Sequence, residues 1–532
     1  MTCVLSAANG IRRRSAARDG SSAAPRALFL AVCAALASVH ISFAQCPDGT
    51  PPPCAVAAHP APNSIAVLTF ENTSRDTSAQ YLAEGLADQI FTRLGGVARL
   101  TLISRSAVRR LRTPEQLSVQ QIGRSLNTAY LVSGSIRAAG GRVRVNVEAL
   151  RAATGEAVWV AAYDRAGDDL IGLEEAIATE VAAGVGGRLS PQERRNLQSR
   201  VTANSQAYEQ FLRGNVLLAR RTPASLQGAI AAYRAATAAD SGFADGYARL
   251  AYGYALCAWY GCAEADSLLA LSRGAAARAL HLNPRSSDAW MGRAYLLAVW
   301  SFRPLGRLAD DSLLAALAAF RRAVELNPRN DEAWHQYGAT LALVSDSASV
   351  DAFRRALALD PARAVTYQDL SFTYYYMGRA DRALATVDSA VALEPDGPFR
   401  QYRVLYRLTA GDTAGAVADA RSSPGAWWSP AVLAAFAHDS AAARAAEAAA
   451  AQRTCGPINI SLGSLYLLWT GRRDQAVQHL LGLGSGCELS ALGALWVRWV
   501  LRMPIYAPLA DDPRVQALRA ETERFVARAQ WR

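Results

Sequence analysis

The chain has 532 residues, enough for several domains, and half of them are apolar, which excludes general intrinsic disorder. None is lysine, so all 56 basic residues are arginine; the lysine of P-loop enzymes, the ATP lysine of kinases and lysine-bound pyridoxal phosphate are excluded together. The formal charge is +11, but five arginines and one aspartate fall in the first 26 residues, and arginines elsewhere alternate with acids, so no nucleic-acid partner is expected.

Residues 1–44 read as an export leader. Arg12, Arg13, Arg14, Arg18 and Arg26 precede an uncharged, largely apolar run at 27–44 that ends in the small-x-small pattern Ser42-Phe43-Ala44. A cleaved signal peptide implies an exported, periplasmic protein. The same run also just spans a bilayer, so the alternative is membrane association through an uncleaved anchor with the bulk of the chain outside the cytoplasm. Cysteine usage agrees with export: Cys46, Cys54, Cys257, Cys262, Cys455 and Cys487 form an even set, and their order suggests pairs 46–54, 257–262 and 455–487 among other possible pairings. Residues 45–63 are rich in proline and alanine and read as a stiff linker.

Residues 64–190 carry an α+β pattern. Residues 65–70 are a short apolar run, predicted as a buried strand, followed by a turn at 71–76. Residues 79–94 predict an amphipathic helix with Leu82, Leu86, Ile90 and Leu94 on one face. A strand follows at 100–103, then a helix opened by Thr113-Pro114-Glu115 and running to Leu126. Three antiparallel strands are predicted at 130–137, 142–150 and 157–163, joined by Gly140-Gly141 and by a turn at 153–156, and a helix closes the module at 173–189. The stretches IAVLTFENTSRD (65–76), YLAEGLADQIFTRL (81–94), IGRSLNTAYLVSGSIR (122–137) and ATGEAVWVAAYDR (153–165) resemble, in order, the amino-terminal domain of TolB-like proteins, with Thr69 where that family usually has proline. In such relatives this module and the repeats after it follow an output domain: a DNA binder, a kinase or a cyclase. The resemblance implies a sensor-and-scaffold half with no output domain of its own.

Residues 205–500 carry a repeat. His-Leu-Asn-Pro at 281–284 recurs as Glu-Leu-Asn-Pro at 325–328, Ala-Leu-Asp-Pro at 358–361 and Ala-Leu-Glu-Pro at 392–395, with prolines 44, 33 and 34 residues apart. Trp290, Ala316, Phe320, Ala323 and Pro328 form one unit; Trp334, Gly338, Phe353, Ala356 and Pro361 form the next; Tyr367, Leu370, Tyr374, Ala383, Val387, Ala390 and Pro395 a third. Inserts at 257–272 and 302–312 account for the longer spacings, residues 431–452 predict one alanine-rich helix, 461–481 another pair, and 501–532 a capping segment. The pattern resembles the tetratricopeptide repeat (TPR), and the fold expected is an α+β module followed by an all-α superhelical solenoid. By the phase of that repeat, Met291, Tyr295, His335, Phe372, Tyr375 and Tyr376 face a groove that would hold a protein or peptide partner, with Arg293 and Arg379 available to a partner's carboxylates.

A search for chemistry finds no paired histidines at helical spacing and no nucleophile elbow, so no catalytic, metal or cofactor residue is assigned. The acid pairs Glu174-Glu175, Asp310-Asp311 and Asp511-Asp512 are expected at helix starts. The expected function is a non-enzymatic exported scaffold. The alternatives are an anchored regulatory subunit coupled to a separate kinase, cyclase or transcription factor, and a hydrolase using carboxylates of the α+β module.

Overall fold

The computed structural model describes residues 60–74, 80–111, 116–167, 169–198, 201–301, 308–424, 426, 428–451, 466–481 and 501–528. The leader, most of the linker, Cys46, Cys54, Cys455 and Cys487 therefore lie outside the described residues.

The apolar run at 65–67 becomes β1 (Ser64–Val67), fully buried because it has a parallel partner on each side, β3 (Thr101–Leu102) and β4 (Tyr130–Ala139). The sheet order is β3-β1-β4-β5-β6, where β5 is Arg142–Arg151 and β6 is Ala157–Ala166, and β2 (Glu71–Asn72) extends alongside β4. β4, β5 and β6 pair antiparallel, as expected. Gly140 and Gly141, at φ 57° and 74°, form the two-residue turn between the paired residues Ala139 and Arg142. The parallel pairs need crossovers, and helices supply them: α1 (Gln80–Leu94) between β2 and β3, then α2 (Arg105–Arg109) and α3 (Val119–Leu126) between β3 and β4. Alternation along β1 and β4 sorts the faces. Ile65, Val67, Val132 and Ile136 meet α1 and α4 (Leu170–Gly186), whereas Ala66 and Leu131 meet Val108, Ile122 and Leu126 on the other side.

The helix expected from 113 to 126 is shorter, because Ser118 caps it in a reciprocal box with Gln121. The turn expected at 71–76 instead begins as a two-residue strand. The closing helix stops at Gly187, with φ 75°, and Ser190 starts a separate helix, α5 (Pro191–Leu197), again with a capping box.

From Ser205 the chain is helical. The helices are α6 (Ser205–Ala219), α7 (Pro223–Ala239), α8 (Ala244–Trp259), α9 (Ala265–Leu282), α10 (Ser287–Ser301), α11 (Leu308–Leu326), α12 (Asp331–Leu341), α13 (Asp346–Leu359), α14 (Ala364–Tyr376), α15 (Ala380–Leu393), α16 (Arg400–Thr409), α17 (Thr413–Arg421), α18 (Ser429–Phe436), α19 (Ser440–Ala451) and α20 (Arg473–Leu481). From α6 to α19 they pack as consecutive hairpins, and the second helix of each hairpin packs on the first helix of the next. First helices also touch, most extensively α8 and α10, where Gly292 brings the backbones close: a Cβ there would stand 3.1 Å from the Ala248 carbonyl oxygen. This is a helical solenoid. Residues 431–452 are two helices rather than one; His438 takes φ 54° and Asp439 accepts from the N–H groups of Ala441 and Ala442, starting the second.

The recurring Leu-Asn/Asp-Pro phrase is the joint between hairpins. The side chains of Asn283, Asn327 and Asp360 accept from the backbone N–H two residues on, across the proline, at 3.0–3.1 Å. The proline's carbonyl is then taken by an aromatic of the next helix: Trp290 Nε1 donates to Pro284 at 2.9 Å, Trp334 Nε1 to Pro328 at 3.0 Å, and the Tyr367 hydroxyl to Pro361 at 3.1 Å. Within hairpins, glycine makes room for the partner's aromatic: a Cβ on Gly338 would lie 2.9 Å from Phe353, and one on Gly214 2.4 Å from Tyr233.

The described residues from Pro60 onward belong to one compact unit. The α+β module seats on the first hairpin and on two of the joints. α1 packs on α6, with Gly85 against Leu212. Arg329, from the joint before α12, donates to the carbonyls of Gly95, Ala98 and Leu100, and Ser106 donates to Asp360 in the joint before α14. Glu174 is fully buried in this contact, hydrogen-bonded by the Tyr208 hydroxyl and 3.6 Å from Arg93. Glu174 lies inside α4, not at its start, contrary to the expectation for acid pairs; Asp512 does cap the final helix α21 (Pro513–Arg528).

Candidate functional site

The first helices of successive hairpins carry a run of charged side chains. Arg249 of α8 pairs with Asp288 of α10 at 2.8 Å. Glu332 of α12 is the hub of the next group: Arg221 reaches it at 2.9 Å, the Tyr252 hydroxyl and Gln336 donate to it, and Arg363, from the joint before α14, pairs with it and with Asp331 at 2.8 Å. His335 Nε2 lies 3.6 Å from Asp369 of α14, while its Nδ1 hydrogen-bonds Thr366 at 3.0 Å. Helices surround these groups, yet Arg249, Asp288 and Asp369 keep 27–28% of their side-chain surface in water. They line a face; they are not sealed in a core.

Enclosure changes their protonation. Burial raises the Glu332 carboxyl, but Arg221 and Arg363 outweigh it and hold Glu332 well below the usual carboxylate range. Burial lowers the His335 imidazole to about 3, with Arg363 pushing the same way, so His335 is neutral at physiological pH and its contact with Asp369 is not an ion pair. Asp369 is driven by burial up to about 7, and Asp245, by burial and by Asp288, to about 6. The strip can therefore offer fixed cations, a fixed anion at Glu332 and two carboxyls that titrate near neutrality. Among the described residues no group of three or more His, Cys, Asp or Glu side chains is placed to hold a metal ion.

The six residues expected to face the groove are all buried, none more than 8% exposed. They correct the expectation of an open aromatic surface. Met291 and Tyr295 are packed into the core between first helices, and Tyr295 meets the Tyr252 ring edge-on at 5.1 Å. His335 packs against Phe353 at 5.8 Å. Phe372, Tyr375 and Tyr376 do come together: Phe372 and Tyr376 are 4.6 Å apart edge-on, and Tyr375 and Tyr406 are 4.8 Å apart. That aromatic group is covered by residues 501–509, whose Met503, Ile505, Tyr506 and Leu509 are buried in the same cluster. Arg293 lies over the Trp290 ring at 5.7 Å.

The spacing of the aromatics does not reveal the polar strip. Its signal was present: Asp245, Asp288 and Glu332 each stand two residues before an aromatic of their helix, Tyr247, Trp290 or Trp334. Arg221 and Arg363 carried no such signal, because they reach the strip from loops. Cys257 and Cys262 are joined across the turn after α8, with Cα atoms 5.2 Å apart.

No family model matches the chain. A protein of Rhizobium meliloti (strain 1021) named putative adenylate cyclase 3 is 30% identical over 182 residues, 33% of this chain; the chain spans only 30% of that protein's length. Among solved structures, the TPR protein YrrB, described as having an unusual peptide-binding site, is 23% identical with a TM-score of 0.24 and covers 36% of this chain and 89% of its own. The thermophilic TPR protein TTC0263 of Thermus thermophilus is 20% identical, with a TM-score of 0.32, and covers 38% of this chain and 97% of its own. A tetratricopeptide repeat protein of Parabacteroides merdae ATCC 43184 is 12% identical, with a TM-score of 0.31, and covers 60% of this chain and all of its own. The hairpin stacking described above rests on the chain's own contacts.

Proposed function

We propose that the chain is a non-enzymatic interaction scaffold whose first-helix face binds a protein partner. The α+β module, a TolB-like domain on the residues quoted above, is in this reading a second binding or sensing element. One observation carries the proposal: consecutive first helices line up Arg249, Asp288, Glu332 and Asp369, and Arg221 and Arg363 join them from loops, part-exposed charges of both signs on one face. Such a strip suits an extended polar peptide, recognised by charge-assisted hydrogen bonds rather than by an apolar pocket. The test compares partner recovery, by affinity purification from the native extract, for wild type, Arg249→Ala and Leu271→Ala. Arg249→Ala is expected to lose most of any partner the wild type retains. Leu271, exposed on the second helix α9, serves as the control. Equal recovery with all three proteins overturns the proposal.

A second reading is favoured by the 182-residue likeness to a protein named as a cyclase. Here the chain is the regulatory part of such a system, coupled to an output domain on another polypeptide. Export through residues 1–44 belongs to the first reading. Mass spectrometry of the mature amino terminus separates the two: cleavage after Ala44 supports a secreted scaffold, and an intact leader supports an anchored regulatory subunit. Among the described residues no helix is long and apolar enough to cross a membrane.

A further inference from the structure

The aromatic end of the first-helix face already holds a peptide, and it is the chain's own. After α20 the described chain resumes at Leu501, and residues 504–509 form a 3₁₀ helix that opens with Pro504 and contains Pro508. Met503, Ile505, Tyr506 and Leu509 are buried in one cluster with Phe372, Tyr375, Tyr376, Tyr402 and Tyr406, side chains of the first helices α14 and α16, and residues 504–509 pack on α16. The Tyr375 hydroxyl lies 2.8 Å from Thr409. Arg502 pairs at 2.7 Å with Asp346, the first residue of α13.

We propose that residues 501–509 are a built-in ligand of this seat, and that once they leave, the seat takes a short, proline-containing peptide in the same turn-like conformation, with aliphatic and tyrosine anchors. The proposal rests on the reading of the first-helix face as a protein-binding surface, and it names the partner chemistry of that face's aromatic end. Three features separate a displaceable segment from a permanent cap. Its own backbone bonds are local turns, Tyr506 N–H to Met503 and Ala510 N–H to Ala507, so departure breaks no ladder. The Arg502–Asp346 pair is at the surface, where such a pair contributes little. The two prolines restrict the segment's backbone, which lowers the entropy lost when it, or a peptide like it, docks. While the segment is seated, the aromatic end is closed and the charged strip stays open. The contact is therefore autoinhibitory for one half of the face only.

The test uses the full chain and a fluorescein-labelled synthetic peptide of residues 501–512, read by fluorescence anisotropy. Tyr506→Ala/Leu509→Asp in the chain removes two anchors and releases the seat. The released chain is expected to bind the peptide at least ten-fold more tightly than wild type does, and not to bind a peptide with Ile505→Asp and Tyr506→Ala. A released chain that keeps its circular dichroism yet binds no more tightly than wild type overturns the proposal. If the double variant fails to fold, hydrogen exchange on wild type decides. Amides of 504–509 exchanging at least a hundred-fold faster than those of α14 and α16 support a displaceable segment; exchange in step with those helices makes it a fixed cap. Loss of peptide binding alone sinks this inference, whereas indifference of partner recovery to Arg249→Ala sinks the wider reading and leaves the anisotropy result standing.

Discussion

His335 shows how one enclosed side chain sets a pH dependence. Glu332, Arg221 and Arg363 face it from their own helices and loops, Thr366 bonds its Nδ1, and Asp369 lies beyond Nε2. Its folded pKa, about 3, is below the unfolded value of about 6.5, so the folded protein favours the neutral ring. The resulting stability is fully present above pH 6.5 and is lost as pH falls toward 3, because the unfolded chain takes up the proton first. Asp369 works in the opposite sense: its carboxyl is raised to about 7, so its protonation favours the fold as pH falls. That term remains in a His335→Gln variant, so the difference from wild type isolates the histidine. We expect His335→Gln to flatten the decline of thermal stability between pH 6.5 and pH 4.5, by on the order of 1 kcal/mol per pH unit, measured by circular dichroism.

At the level of elements, the joints do most of the work. Each Leu-Asn/Asp-Pro joint stops one helix, turns the chain through an Asx bond and fastens the next helix by its aromatic. The turn after α8 is different. It is longer, and Cys257 and Cys262 close it, with the Cys262 N–H also donating to the Cys257 carbonyl at 3.0 Å. A sequence separation of 5 makes a small loop, so the bridge is expected to contribute about 2 kcal/mol. Alkylation without reductant should leave both thiols unlabelled. Cys257→Ser/Cys262→Ser should lower stability in urea by about that amount; free thiols in the native protein would refute the pairing. Local bonding also explains why one alanine-rich helix was expected at 431–452 and two are present. Alanine favours helix throughout, and only the local bonds of Asp439 mark the break.

For the whole molecule, the decisive contact is that between the α+β module and the array. Burial drives the Glu174 carboxyl up to about 8, against the pull of the Tyr208 hydroxyl and Arg93, and Arg93 also donates to the Leu197 carbonyl at 2.7 Å. Removing Glu174 takes away the acceptor of the buried Tyr208 hydroxyl. Because that carboxyl is mostly protonated at neutral pH, Glu174→Ala removes a buried hydrogen-bond partner and is expected to cost about 1–3 kcal/mol in urea unfolding, more than an exposed ion-pair substitution such as Asp164→Ala at the Arg142–Asp164 pair of the sheet. An equal, small effect of both would mean that the module and the array are only loosely joined. The joints carrying Arg329 and Asp360 touch both the module and the array.

What the sequence determined by itself was whatever is written in local spacing. The hydrophobic alternation of β4 to β6, the glycine turns, the phased prolines and the small-plus-aromatic pairs such as Gly338 and Phe353 depend on neighbours a few residues away, and the structure returns them as sheet and hairpins. Tertiary structure alone decided which side chains remain in reach of solvent. Aromatics phased toward a groove are drawn between helices or beneath residues 501–509, because apolar area leaves water wherever a partner within the chain can cover it. Charges at the same phase stay partly wet, because desolvating them costs more than packing returns. Glu174 and Arg329 are placed by contacts with residues far away in the chain, and no short pattern could have announced them.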